Sequence, residues 1–114
     1  MSMSMNNKIR AAVLPLVSVC VPDLYTGEKT TYCTFQYTEM PQAFGDDLPP
    51  ITVYLVQVHL FAPCGENVLP LRKQLRNALL SAGFTAPQVE NASDEVSQHY
   101  VFECEYAGGF DNGD

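Results

Sequence analysis

Positive charge is what this chain has least of. Six Lys and Arg stand against thirteen Asp and Glu, a net charge of −7 over 114 residues. A nucleic-acid backbone is bound by clustered cations that displace its counterions, so this balance argues against direct nucleic-acid binding. Three of the six, Arg72, Lys73 and Arg76, fall on one predicted helix, where a solvated face is expected. Paired cysteine motifs are missing too. Cys20, Cys33, Cys64 and Cys104 are scattered with no C-x-x-C among them. That spacing fits neither a standard zinc site nor a secreted disulfide framework. Buried free thiols in a reducing compartment are the expectation.

Long apolar runs are also absent. Lys8 and Arg10 precede the stretch Ala11–Val21 in the manner of a signal peptide. Pro15 interrupts that stretch, no small-residue cleavage site follows, and it is too short to span a bilayer. A mature cytosolic chain is expected, with a secreted precursor as the alternative. There is no G-x-G-x-x-G, no P-loop and no G-x-S-x-G. No internal repeat appears at a solenoid period.

What is present is apolar and patterned. Hydrophobic residues make up 46% of the chain and charged residues 17%, so it is globular. Its length fits one domain, residues 1–114, with 1–7 and 107–114 expected as flexible ends. Asn6 or Asn7 is a candidate cap for a first helix running to about Val19, with Pro15 breaking or kinking it near Leu14. Thr30–Thr38 alternates as a half-buried strand, with Cys33, Phe35 and Tyr37 on one face. Glu39–Pro50 holds Pro41, Gly45, Pro49 and Pro50 and reads as an irregular loop.

Ile51–Gly83 carries the most structural information. Thr52–Phe61 is the strongest strand, with Tyr54, Val56, Val58 and Leu60 forming one apolar face. Val53, Leu55, Gln57, His59 and Phe61 form a mixed second face. Asn67–Ala82 is the best helix, with Val68, Leu71, Leu75, Ala78, Leu79 and Ala82 as its stripe. Gly83 is placed to end it in the left-handed conformation, with Phe84 folding back on the last turn. Pro87–Ser93 and Gln98–Tyr106 read as a final hairpin. The expected fold class is therefore α+β: two helices on a four-stranded antiparallel sheet, in the order α-β-β-α-β-β.

Candidate chemistry is thin. His59 precedes Cys64, and His99 precedes Cys104, by the same spacing. His99 and Cys104 point to opposite faces of one strand, so a metal site would need both pairs to converge across the sheet. Cys64 beside Gly65, just before a helix, could act as a thiolate if the helix dipole lowered its pKa. Asp46-Asp47 and the Glu103/Glu105 pair lack the unequal environments that separate a general acid from a general base. The expectation is no catalytic residue, no cofactor and no metal. A small ligand-binding or cysteine-dependent enzymatic α+β domain is the alternative.

The fragments VQVHLF (Val56–Phe61), ALLSAGF (Ala78–Phe84) and HYVFECE (His99–Glu105) have a family likeness. With YCTFQYTEMPQAFGDDLP they make the chain, from about Leu14 to Tyr106, resemble small tail proteins of phages and prophages with long non-contractile tails. The resemblance is to tail-terminator or tail-completion components. It implies a compact α+β subunit that assembles as a ring, typically hexameric, capping the tail tube and joining it to the head. Its partners would be copies of itself, tail-tube proteins and head-completion proteins, in the host cytoplasm during assembly and then in the virion tail. No nucleic acid or membrane is expected as a direct partner. Such a subunit needs interfaces and no catalytic pocket. The candidate interface residues are Phe44, Asp46 and Asp47 in the long loop, and Val53, Leu55, Gln57 and His59 on the mixed strand face. The competing expectation is that the first helix covers Val53 and Leu55 and the loop is merely solvated.

Overall fold

A computed structural model describes residues 4–42 and 51–109. The elements are α1 (Met5–Val13), β1 (Cys20–Pro22), β2 (Tyr32–Gln42), β3 (Ile51–Ala62), α2 (Leu69–Ser81), β4 (Gln88–Asn91) and β5 (Gln98–Gly109). The strands form one sheet in the order β1-β2-β3-β5-β4. β1 is parallel to β2 and the other pairings are antiparallel.

The α+β class stands, and the four-stranded antiparallel sheet is corrected to a five-stranded mixed one. The extra strand is β1, whose three residues are too few to show a period of two. Its pairing of Cys20, Val21 and Pro22 with Cys33, Thr34 and Phe35 is a long-range choice made by the fold. The strand stops where Asp23 takes φ 64, a left-handed conformation that aspartate tolerates better than most residues. The Asp23 amide closes the turn on the Phe35 carbonyl at 2.9 Å.

The first helix begins earlier than expected. Ser4, not Asn6 or Asn7, is its cap: the Ser4 hydroxyl accepts from the Asn7 amide at 3.2 Å. Met5 is therefore helical, buried in the core, and no part of a frayed start. The helix stops at its cap Leu14, the break expected there, and does not resume towards Val19, because Pro15 has no amide proton and would clash with the preceding turn.

β2 and β5 both run further than their local composition suggests. Glu39–Gln42, expected as loop, continues the ladder with Ile51–Tyr54. Ala107, Gly108 and Gly109, expected as tail, pair with Val53, Thr52 and Ile51. Beyond Phe35, β3 is the only sheet neighbour of β2 among the described residues, so the donor missing at Pro41 is tolerated. The rest of the expected loop, including Phe44, Asp46 and Asp47, lies outside the described residues.

α2 ends as its sequence implies. Gly83 has φ +100, its amide donates to Leu80, and the Phe84 amide reaches back to the Leu79 carbonyl at 3.2 Å. That is a Schellman pair, and it buries Phe84 against the last turn. At the other end the Asn67 side chain accepts from the Leu69 amide at 3.2 Å, so it serves the helix start although Val68 occupies the cap position.

Both helices pack on the same face of the sheet. Met5, Ile9 and Val13 of α1 and Leu75 and Leu79 of α2 join Phe35, Val56, Val58, Leu60 and Phe102 in one buried cluster. Every residue of that cluster in β3 has the parity of Tyr54–Leu60. The opposite face carries no helix of its own, among the described residues.

The open sheet face as a candidate interface

Register decides what stands on the open face. Three long strands contribute alternate residues to it, and the pairings align them in rows across the sheet. The rows change character along the strands, from aromatic to polar to apolar.

The first row is Tyr32, Phe61 and His99, which are Cα partners across β2, β3 and β5. Tyr32 stacks on Phe61 with centroids 4.9 Å apart, and Phe61 stacks on His99 at 4.2 Å. Tyr25, from the loop after β1, extends the line against Tyr32 at 4.7 Å. Each such pair is worth about 0.5–1.5 kcal/mol beyond burial, so this end of the face is held rigidly.

His59 stands in the next row, one step diagonally from His99. Its Nδ1 lies 2.8 Å from His99 Nε2, close enough for one imidazole to donate to the other. Burial pushes His59 below the ordinary imidazole value, and the neighbouring His99 pushes the same way. Burial lowers His99 as well, with the Asp94 carboxylate opposing. Both shifts favour the neutral imidazoles, one of which donates to the other along the hydrogen bond.

His99 also ties the surrounding loops together. Its amide donates to Ser93 Oγ at 2.9 Å, and its carbonyl accepts from Ala92 at 2.7 Å. The adjacent Gln98 side chain donates to the carbonyls of Pro63 and Glu66, both at 2.8 Å, pinning the segment before α2. Asp94 accepts from the amides of Val96 and Ser97, which holds its carboxyl below the usual range.

The middle of the face is polar. Gln36 Nε2 donates to Gln57 Oε1 at 2.8 Å, and Glu103 completes that row. A shallow concavity of about 720 Å³ lies here, lined by Gln36, Leu55, Gln57, Gln88, Glu103 and Glu105 among others. The far end is apolar. Leu55 and Met40 are each 38% exposed, and Val53 and Ile51 are half-buried beside them.

Of the residues expected at an interface, Val53, Leu55, Gln57 and His59 therefore share this face, and α1 lies on the other side of the sheet. Phe61, which parity had already placed on this face, joins them, as do His99, Gln36 and Met40, which were not expected at an interface. The signal was parity on each strand. What was missing was register, since a slip of one residue between β3 and β5 would have put His59 and His99 on opposite faces.

The cysteines do not gather at this site. Cys20, Cys33 and Cys104 are buried on the helix side. Burial pushes the Cys20 thiol up to about 11, with Arg10 opposing, and Cys104 up to about 12, with Glu105 adding. Burial raises Cys33 further, helped by Cys20. Three of the four are therefore thiols at neutral pH and poor nucleophiles. Cys64 is exposed, with Sγ 3.8 Å from the carbonyl oxygens of Asp94 and Glu95. It lies five residues before Leu69, away from the first turn of α2 where a helix dipole acts. The two histidines converge without their cysteines, and among the described residues no group of three or more His, Cys, Asp or Glu is placed to hold a metal ion. No described helix is long and apolar enough to cross a membrane.

The chain matches no known protein-family model and no curated protein. Its function is accordingly argued from the open face and from the residues on it.

Proposed function

We propose that this chain is a structural subunit of a phage or prophage tail, a terminator or completion component that forms a ring at the head–tail junction. Its partners would be copies of itself together with tail-tube and head-completion proteins. In this reading it is not an enzyme and uses no cofactor. It works in the host cytoplasm during assembly and then in the virion tail.

The observation that carries the reading is the open sheet face. A five-stranded sheet with helices on one side leaves Leu55, Met40, Val53 and the Tyr32–Phe61–His99 row without cover from the chain's own helices. An exposed apolar zone beside a rigid aromatic one is what a subunit interface supplies. The resemblance of Val56–Phe61, Ala78–Phe84 and His99–Glu105 to tail proteins gives that interface its context.

Deleting the gene from an inducible prophage of the source strain tests the reading. Headless tails and unjoined heads are expected under the electron microscope, with normal particles restored by the gene in trans. Intact particles from the deletion strain would end the proposal.

A further inference from the structure

Charge in this molecule is sorted by secondary structure. α1 and α2 together carry Lys8, Arg10, Arg72, Lys73 and Arg76, five of the six basic residues in the chain, and no acidic residue. The charged residues on the open sheet face are Glu90, Glu103 and Glu105, and no Lys or Arg stands on it among the described residues. The net charge of −7 conceals a basic helix layer on one side and an acidic sheet face on the other.

Two of the five helix cations are committed within the subunit. Lys8 Nζ lies 4.6 Å from the centroid of the Tyr106 ring, and the Arg72 guanidinium lies 4.1 Å from that of Tyr100. Arg10, Lys73 and Arg76 are exposed. Between the helices runs a shallow groove of about 680 Å³, where Ala11, Ala12, Pro15 and Ala78 stand among the polar Lys8, Gln74 and Asn77. The helix layer thus carries three exposed cations and, apart from them, a shallow groove between the helices. On the sheet, exposed Leu55 lies directly across from exposed Glu105, its Cα partner.

We propose that the open sheet face of one copy docks on the α1–α2 layer of a second copy. Glu103 and Glu105 meet Lys73 and Arg76, and the Leu55–Met40 zone meets the interhelical groove. A sheet-to-sheet dimer would instead set Glu103 and Glu105 against their own copies, a like-charge contact that opposes association. The two docking surfaces differ, so the contact is heterologous: each added copy presents a free sheet face or a free helix layer until the series closes. Each sheet gains helices on both faces, one pair its own and one pair its neighbour's, which is a standard three-layer arrangement. The inference deepens the tail-subunit reading and rests on it only for closure into a ring.

The test uses the full chain and two double variants. Glu103→Lys with Glu105→Lys spoils the sheet face, and Lys73→Glu with Arg76→Glu spoils the helix layer. All four positions are at the surface, and thermal melts check that each variant folds. Sedimentation velocity is expected to show wild-type oligomers that weaken about tenfold or more in affinity on going to high salt. Each variant alone should be monomeric. Mixed in equal amounts, the two variants should reassociate, because each supplies the native surface that the other has lost and the two reversed surfaces are again opposite in charge. Wild type that stays monomeric at high concentration in low salt overturns the docking. So do folded variants that assemble like wild type, folded variants that fail to pair when mixed, and a helix layer that binds duplex DNA in place of a second copy. Oligomers indifferent to both double variants would sink this interface and leave the tail reading standing. Intact particles from the deletion strain would do the reverse.

Discussion

The two faces of β3 differ by one residue of register and by everything that follows from it. Tyr54, Val56, Val58 and Leu60 are almost wholly buried under α1 and α2. Val53, Leu55, Gln57, His59 and Phe61, threaded between them, are half-buried or exposed. The covered face is uniformly apolar and its work is to hold the fold together. The open face is graded from aromatic to polar to apolar, and on the proposed assembly reading its work lies outside the subunit. A strand apolar on one face needs one cover, while a strand that also carries Val, Leu and Phe on its other face can accept a second.

The comparison breaks most sharply under truncation of the covered side. Phe102→Ala removes a fully buried ring beneath the helices and should cost about 3–5 kcal/mol in urea denaturation. Phe61→Ala, on the open side, should cost about 1–2 kcal/mol, the loss of a half-buried ring and its stacks on Tyr32 and His99. Equal losses would mean that the open face is as much core as the covered one.

Gly83 joins the helix layer to the sheet behind it. Its φ of +100 strains any side chain, and an added Cβ would lie 3.4 Å from the Tyr106 ring. Gly83→Ala should therefore destabilise by about 1–2 kcal/mol, read as a lower urea midpoint with an unchanged slope.

A gentler probe is pH. His59 and His99 both have folded pKa values below the ordinary 6.5, so the unfolded chain binds protons first as pH falls. Stability is complete above that value and declines as pH drops through it towards the folded values. The first proton can be shared along the hydrogen bond, and the second forces two cations together, so the pair titrates as a unit. Urea midpoints measured from neutral to mildly acidic pH should show that decline, and His59→Gln should flatten it. An unchanged profile in the variant would remove the histidine pair from the account. The smallest effect is expected at Leu55. At 38% exposure, Leu55→Ser should shift monomer stability by no more than about 0.5 kcal/mol.

Much of the covered face was legible in the sequence because its signals are local. Alternation across Cys33–Tyr37 and Tyr54–Leu60 marks buried strand faces, and the stripe from Val68 to Ala82 with Gly83 and Phe84 marks a capped helix. The parts that were not legible depend on distant partners. The three residues of β1 carry no period and are strand only because Cys33–Phe35 is beside them. Glu39–Gln42 contains a proline and polar residues, and the ladder with β3 overrides that local preference. The Ser4 cap displaced Asn6 and Asn7 because burying Met5 requires the helix to start two or three residues earlier. The open face was half legible: parity placed Val53 to Phe61 together, and only the β3–β5 register brought His99 to His59.

The claim at the centre of this account is that the open face of the sheet is an assembly surface. Sedimentation velocity on Leu55→Lys beside wild type tests it most directly, with urea midpoints confirming that both chains are folded. The account predicts a wild-type oligomer and a monomeric variant of unchanged stability. The same mass for both would contradict it.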